Sequence, residues 1–195
     1  MQSMIDLLVG AIWFILPAYV ANSVPVDVSK ISFLKKYGKP IDGGKTWRNK
    51  RILGDGKTWR GLFSGVFAGT LVGAVETALE PSVRATYPFL PEMTLSIAFM
   101  LSLGALLGDM AASFIKRRIE LEPGQPAPLL DQLDFLAGAI LLAWIWTAIQ
   151  QGTFANALEG MIGYPRLALI IIITPFVHLL GNFIAWMWRL KKNPW

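Results

Sequence analysis

Residues 108–134 read GDMAASFIKRRIELEPGQPAPLLDQLD, and the order of residue types in this stretch decides how the chain is built. It leaves one apolar run, passes through Lys116-Arg117-Arg118 and a proline-rich link, and meets a second apolar run at Asp134. Read as a helix end, Asp109, Ser113 and Lys116 fall at i, i+4 and i+7 and share a face. Asp131 and Asp134 share a face at the start of the next helix. Carboxylates suit a hard cation and cationic side chains suit phosphate, which are the two requirements of a Mg2+-nucleotide site.

Outward from this stretch, apolar residues cluster in blocks of about 20, the length that crosses the ~30 Å hydrocarbon core as a helix. Hydrophobic residues make up 54% of the chain and charged residues 16%. The blocks predict spans at about 5–24, 61–79, 93–113, 134–150 and 167–188. The expectation is an all-α, multi-pass protein of the cell membrane, one membrane domain over 1–195, with the lipid bilayer as its surroundings. Asp6 is the only early charge and no Ala-x-Ala pattern follows, so the first block is expected to be a retained helix, bent near Pro17. There is no cysteine, which excludes disulfides, thiolate metal sites and cysteine nucleophiles.

The net charge of +5 could suggest nucleic acid, but its placement argues for topology. The loop at 25–60 holds ten Lys/Arg, the loop at 114–133 holds Lys116, Arg117 and Arg118, and the tail holds Arg189, Lys191 and Lys192. The opposite side holds only Arg84 and Arg166. By the positive-inside rule the N-terminus faces out, and both long loops and the C-terminus face the cytoplasm. Trp186, Trp188 and Trp195 suit an interfacial belt on that side, and no nucleic-acid partner is expected.

The 25–60 loop carries Asp42-Gly43-Gly44-Lys45 and Gly54-Asp55-Gly56-Lys57-Thr58. The second cluster is not a Walker A, because Arg51 stands where that motif needs glycine. What remains is local physics: glycines let backbone N–H groups face an anion, Lys57 and Thr58 add donors, and a helix begins directly after. Such a loop is also what a topology determinant looks like. Gly61, Gly65, Gly69 and Gly73 form a flat stripe for a neighbouring helix backbone or a lipid tail, helix packing being the better reading. Glu76, one turn from the span's end, is expected to reach water, and His178, with Asn182 a turn on, to be an interhelical hydrogen-bond partner. Asp109 has two readings: an ion pair with Lys116 or Arg117, or a metal ligand. The companion carboxylates Asp131 and Asp134 favour the metal.

These residues carry a resemblance. Gly108-Asp109, Ser113, Lys116-Arg117, Pro123-Gly124 and Asp131-x-x-Asp134 resemble the signature of the CDP-diacylglycerol synthase family, the phosphatidate cytidylyltransferases. Gly56-Lys57-Thr58-x-x-Gly61 resembles that family's shorter element, and the run from Asp55 to Gly61 looks like the archaeal branch, the CDP-archaeol synthases. Arg60 stands for the bacterial glutamate, Asp55-Gly56 for a serine-proline pair and Gln132 for an arginine. The resemblance implies transfer of a cytidylyl group from CTP to an isoprenoid ether lipid phosphate, with pyrophosphate released. It implies Mg2+ held by Asp109, Asp131 and Asp134, with Asp109, Asp131 and Lys116 at the chemistry. Lys57, Thr58, Gly56, Asp55, Ser113, Arg117 and Lys45 would then bind substrate. A CDP-alcohol phosphotransferase would need Asp-Gly-x-x-Ala-Arg, which is not here; a small transporter would need broken helices and mid-membrane charge, for which Pro175 and His178 are the weak exceptions to charge that sits at the cytoplasmic ends. The sequence fixes neither the oligomeric state nor the helices that form a lipid groove.

Overall fold

The computed structural model describes residues 2–121 and 125–188, Ala185 by its backbone alone. Pro123-Gly124, Arg189, Lys191, Lys192 and Trp195 lie outside the described residues. Among the described residues the long elements are α1 (Met4–Val28), α2 (Trp59–Thr86), α3 (Leu95–Arg118), α4 (Leu130–Gln151) and α6 (Tyr164–Met187), with a short α5 (Ala157–Met161) before the last. These five long helices are each long and apolar enough to cross a membrane. The all-α, five-span architecture is therefore what the hydropathy blocks predict.

The helices outrun the predicted spans. Helix α2 continues through Pro81 to Thr86, and α3 carries Lys116, Arg117 and Arg118 in its last turn. Hydropathy marks where a helix leaves hydrocarbon, whereas backbone hydrogen bonding continues until a cap stops it. Thr58 caps α2 by accepting from the Gly61 N–H at 3.1 Å, and Thr94 caps α3 through the Ile97 N–H at 3.2 Å. Pro17 and Pro25 both sit inside α1, which runs unbroken from Met4 to Val28.

Small residues hold the bundle together, as expected where lipid offers apolar side chains no reason to leave it. Gly61, Gly65, Gly69 and Gly73 are all buried on α2. A Cβ at Gly65 would meet the Ala21 carbonyl and Leu106, at Gly69 the Pro17 carbonyl and Ser102, and at Gly73 Ala98. The stripe is therefore wedged between α1 and α3, and lipid does not reach it. The other face of α2 exposes Phe63, Phe67, Leu71, Val75 and Leu79, one residue per turn toward the bilayer. Helices α3 and α4 make the most extensive pairing, crossing where Gly104 and Gly108 meet Asp134 and Gly138 backbone to backbone. Helix α6 leans on α1 and α4, and the Tyr19 hydroxyl is 2.8 Å from the Thr174 Oγ1.

Glu76 corrects an expectation. It is 4% exposed, and neither carboxylate oxygen has a hydrogen-bond partner among the described residues. It continues the inward face that carries Gly69 and Gly73, so helix phase outweighs nearness to the boundary.

Candidate active site

The 25–60 loop is folded around one carboxylate. Within it, a 3-10 turn (Ser32–Tyr37) precedes a hairpin of β1 (Thr46–Trp47) and β2 (Lys50–Arg51), with Thr46 opposite Arg51. Arg48 and Asn49 turn the hairpin with φ of 51° and 59°, the paired positive φ of a two-residue turn whose twist matches its strands. Asp42 lies beneath. Its carboxylate accepts from the Gly44, Leu53 and Gly54 N–H groups, each at 3.0 Å, and from Arg51 Nη2 at 2.8 Å. Burial disfavours the charged form, but Arg51 and the Gly54, Leu53 and Gly44 N–H groups outweigh it. They hold the Asp42 carboxyl well below the usual carboxylate range.

Two further ties set where this loop sits. At its base the Ile41 N–H donates to the Lys57 carbonyl at 2.8 Å and the Trp59 N–H to the Lys39 carbonyl at 3.1 Å. At its tip Arg118, from the last turn of α3, donates to the carbonyls of Trp47 at 2.6 Å and Arg51 at 2.7 Å. The same guanidinium lies over the Trp47 and Phe114 rings, which stack with centroids 5.5 Å apart. Lys57 is thereby delivered to the end of α3, where its Nζ is 2.6 Å from Asp109 Oδ2.

A second pair mirrors the first. Lys116, two turns beyond Asp109 on α3, places its Nζ 2.6 Å from Asp131 Oδ1 at the start of α4, and the other Asp131 oxygen accepts from the Ala127 N–H at 2.8 Å. Asp134 follows one turn along α4, its Oδ1 accepting from the Phe135 N–H at 2.6 Å. The carboxylates come together because the α3–α4 crossing lacks side chains: at Gly108, next to Asp109, a Cβ would run into the Asp134 carbonyl.

All these groups line one cavity of about 850 Å³, with Asp55, Gly56, Lys57, Thr58, Asp109, Lys116, Asp131 and Asp134 on its charged side. Ser113, Arg117 and Lys45, expected to bind substrate, are not among its lining residues; Ser113 is 5% exposed. The Thr58 hydroxyl oxygen already accepts from the Gly61 N–H, and Asp55 pairs with Arg51 at 2.7 Å. His178 bonds Asn182 on its own helix at 3.3 Å and lines the cavity. No group of three His, Cys, Asp or Glu stands ready to hold a metal among the described residues. The donor chemistry nevertheless fits one: hard carboxylate oxygens from two helix ends, two of them each held by a lysine.

Sequence reasoning did not find Asp42 and Arg118. An Asp-Gly-Gly-Lys cluster reads equally well as an anion cradle or as an acid that turns the loop's own N–H groups inward. Arg118 had a signal, a cation in the last helical turn, but nothing in sequence named the carbonyls it would reach.

A bundle of membrane-length helices with a charged cavity at one end defines an integral membrane enzyme acting where lipid meets water. Residues 4–195 match the family described as CarS-like, CDP-archaeol synthase, and the chain belongs to that family. It is 41% identical over 186 residues to the CDP-archaeol synthase of Thermococcus kodakarensis, covering 95% of each chain. It is 45% identical over 186 residues to that of Thermococcus gammatolerans, covering 95% of each, and 38% identical over the full length of both chains to that of Halobacterium salinarum. Among solved structures, an intramembrane enzyme for archaeal membrane lipid biosynthesis superposes with a TM-score of 0.63 at 34% identity, over 90% of this chain and 94% of the other. The activity is CTP-dependent cytidylyl transfer that forms CDP-archaeol.

Proposed function

We propose that the acceptor is a prenyl-ether glycerol phosphate, unsaturated archaetidic acid, and that Mg2+ is the metal. Enzymes of this family generally need a divalent metal. A lipid phosphate oxygen attacks the α-phosphorus of CTP; the new P–O bond forms as the bond to the β-phosphate bridge breaks, and pyrophosphate leaves in line. No protein nucleophile is needed, which suits a chain without cysteine. The reading is supported above all by one cavity that joins Lys57 of the first loop to Asp109, Lys116, Asp131 and Asp134 of the second.

In this reading Asp109 and Asp131 hold Mg2+, with Asp134 beside them, and Mg2+ supplies charge neutralisation at the phosphates. Lys57 and Lys116 balance the two carboxylates until the nucleotide arrives, then turn to phosphate oxygens and stabilise charge that grows in the transition state. Gly56 and the Thr58 cap bring backbone N–H groups to the start of α2, a position suited to anions. Thr58 thus contributes as a cap, with Asp55 restraining Arg51. Sixteen Lys/Arg on the loop side against two on the other support a cavity mouth in the cytoplasm, where CTP is.

The test is purified protein in lipid with radiolabelled CTP, Mg2+ and the prenyl-ether glycerol phosphate. Labelled CDP-lipid and pyrophosphate should form in equal amounts, stop with a chelator and resume with Mg2+. No CDP-lipid under these conditions would overturn the reading.

A further inference from the structure

A second cavity, of about 650 Å³, lies outside the active site at the loop end of α2, between that helix and the 3-10 turn. Its apolar lining includes Leu34 from the turn and Trp59 and Phe63 from α2, whose rings stack with centroids 5.9 Å apart. Lys36, Lys39 and Arg60 supply its charge, and none of the described residues that line it is acidic. The ion pairs among the described residues engage Lys50, Arg51, Lys57, Arg84 and Lys116, so these three cations are left without a carboxylate. Arg60 is the best held of them. Its Nη1 donates to the Leu34 carbonyl at 3.0 Å, and its guanidinium packs on Gly38, where a Cβ would stand 3.4 Å from Cζ. Its Nε is buried with no hydrogen-bond partner among the described residues.

The place of this cavity decides what it meets. Phe63 lines it and also begins the ridge of Phe63, Phe67, Leu71, Val75 and Leu79 that α2 turns toward the bilayer. The cavity therefore lies where that ridge ends, at the level of lipid headgroups. Tyr37 and Trp59 in its lining are exposed, as is Phe33 on the same turn. Aromatic rings and lysines are the side chains that settle at that level. Unpaired cations beside an apolar surface that continues into the bilayer are the complement of a phosphate headgroup carrying hydrocarbon chains. From Phe63 to Leu71 the ridge runs about 12 Å at 1.5 Å per residue, room for the upper part of a chain.

The same cavity touches the base of the catalytic loop. Lys39 and Trp59, both in its lining, are the partners of the 3.1 Å hydrogen bond that closes the loop, and Lys57 lies two residues before Trp59. Arg60 lines both cavities. A ligand that bridges Lys39 and Arg60 holds that base shut.

We propose that this cavity binds an anionic phospholipid of the surrounding membrane, separate from the acceptor, and that the bound lipid clamps the loop that carries Lys57. Its phosphate lies on Lys36, Lys39 and Arg60, and one chain lies along Trp59 and Phe63. The effect of the clamp on catalysis rests on the reading of Lys57 given above; the binding does not.

The experiment has a binding arm and a kinetic arm. In the first, the purified full-length protein is given phosphatidylglycerol or phosphatidylcholine with the same chains and no acceptor, and retained lipid is counted by native mass spectrometry. Phosphatidylglycerol should bind about tenfold or more tightly than phosphatidylcholine. Lys39→Gln should weaken it by about fivefold, the scale of one basic residue at an anionic surface, and Lys36→Gln/Lys39→Gln by more. Lys35→Gln, which removes the same charge from a side chain outside the lining, should bind as the wild type does. In the second arm, cytidylyl transfer is measured in bilayer discs of phosphatidylcholine with and without phosphatidylglycerol, at fixed acceptor lipid. Phosphatidylglycerol should lower KM for CTP severalfold in the wild type and in Lys35→Gln, and should not lower it in Lys36→Gln/Lys39→Gln. The sign separates a clamp from general surface charge, because a negative surface repels CTP and by itself raises KM. Equal retention of the two lipids, or phosphatidylglycerol binding unchanged in Lys36→Gln/Lys39→Gln, would overturn the site. Selective binding with an unchanged KM for CTP would overturn the clamp and leave the site standing. If the wild type forms no CDP-lipid in either disc, the functional reading falls and the clamp with it, while the binding arm still decides the site.

Discussion

Asp42 and Asp109 are both acids held by a cation, yet they do different work. Asp42 accepts three backbone N–H groups and an Arg51 guanidinium, and its side chain is only 1% exposed. Asp109 has one described partner, the Lys57 ammonium at 2.6 Å, and opens on a cavity. A carboxylate saturated by fixed donors cannot leave them without breaking the loop. One held by a single flexible ammonium can exchange it for another cation, because the lysine swings away on its own stem. The first arrangement builds a scaffold and the second keeps a site exchangeable. Asp131 falls between them, with one oxygen on Lys116 and the other on the Ala127 N–H.

Changes on the exchangeable side should show the largest effects on rate with little effect on the fold. Asp131→Asn should lower kcat by roughly 10^2–10^3, the scale of losing one group that stabilises transition-state charge, with an unchanged melting temperature. Lys57→Met should follow at about 10^2 in kcat/KM, in part through a higher KM for CTP. Gly108→Ala breaks the crossing that brings the carboxylates together; it should lower both melting temperature and turnover, by roughly 1–3 kcal/mol of overpacking on the stability side.

On the scaffold side the order reverses, with stability moving first. Asp42→Asn should cost the loop roughly 2–3 kcal/mol, read as faster proteolytic cutting within 25–60, with activity falling only as far as the loop opens. Its pH dependence has a definite sign. The folded Asp42 carboxyl sits below its unfolded value, so its contribution is complete above about pH 4 and is lost as pH falls through the folded value. Acid-induced opening of the loop should therefore weaken or vanish in Asp42→Asn. Arg118→Lys should have the smallest effect, loosening the hairpin from α3 while keeping the charge, since an ammonium cannot fork to the Trp47 and Arg51 carbonyls.

The spans were legible because crossing hydrocarbon needs about 20 apolar residues in a row, a signal no loop imitates. Asp109, Lys116 and Asp131 were legible because helix periodicity fixes which residues share a face. Asp42 was not, because its partners are backbone groups up to 12 residues away, set by a fold the local pattern does not encode. Gly104 and Gly108, four apart like the α2 stripe, carried a packing signal that was there to be read.

The central claim is that Asp109 belongs to the chemistry, with Lys57 holding it ready until the nucleotide arrives and then turning to phosphate. The direct test is Asp109→Asn in the lipid cytidylyl-transfer assay, with turnover normalised to folded protein by its melting curve. CDP-lipid formation should fall by at least about 10^2 while the melting temperature stays at the wild-type value. Full activity in Asp109→Asn, or a loss that merely tracks unfolding, would contradict the account.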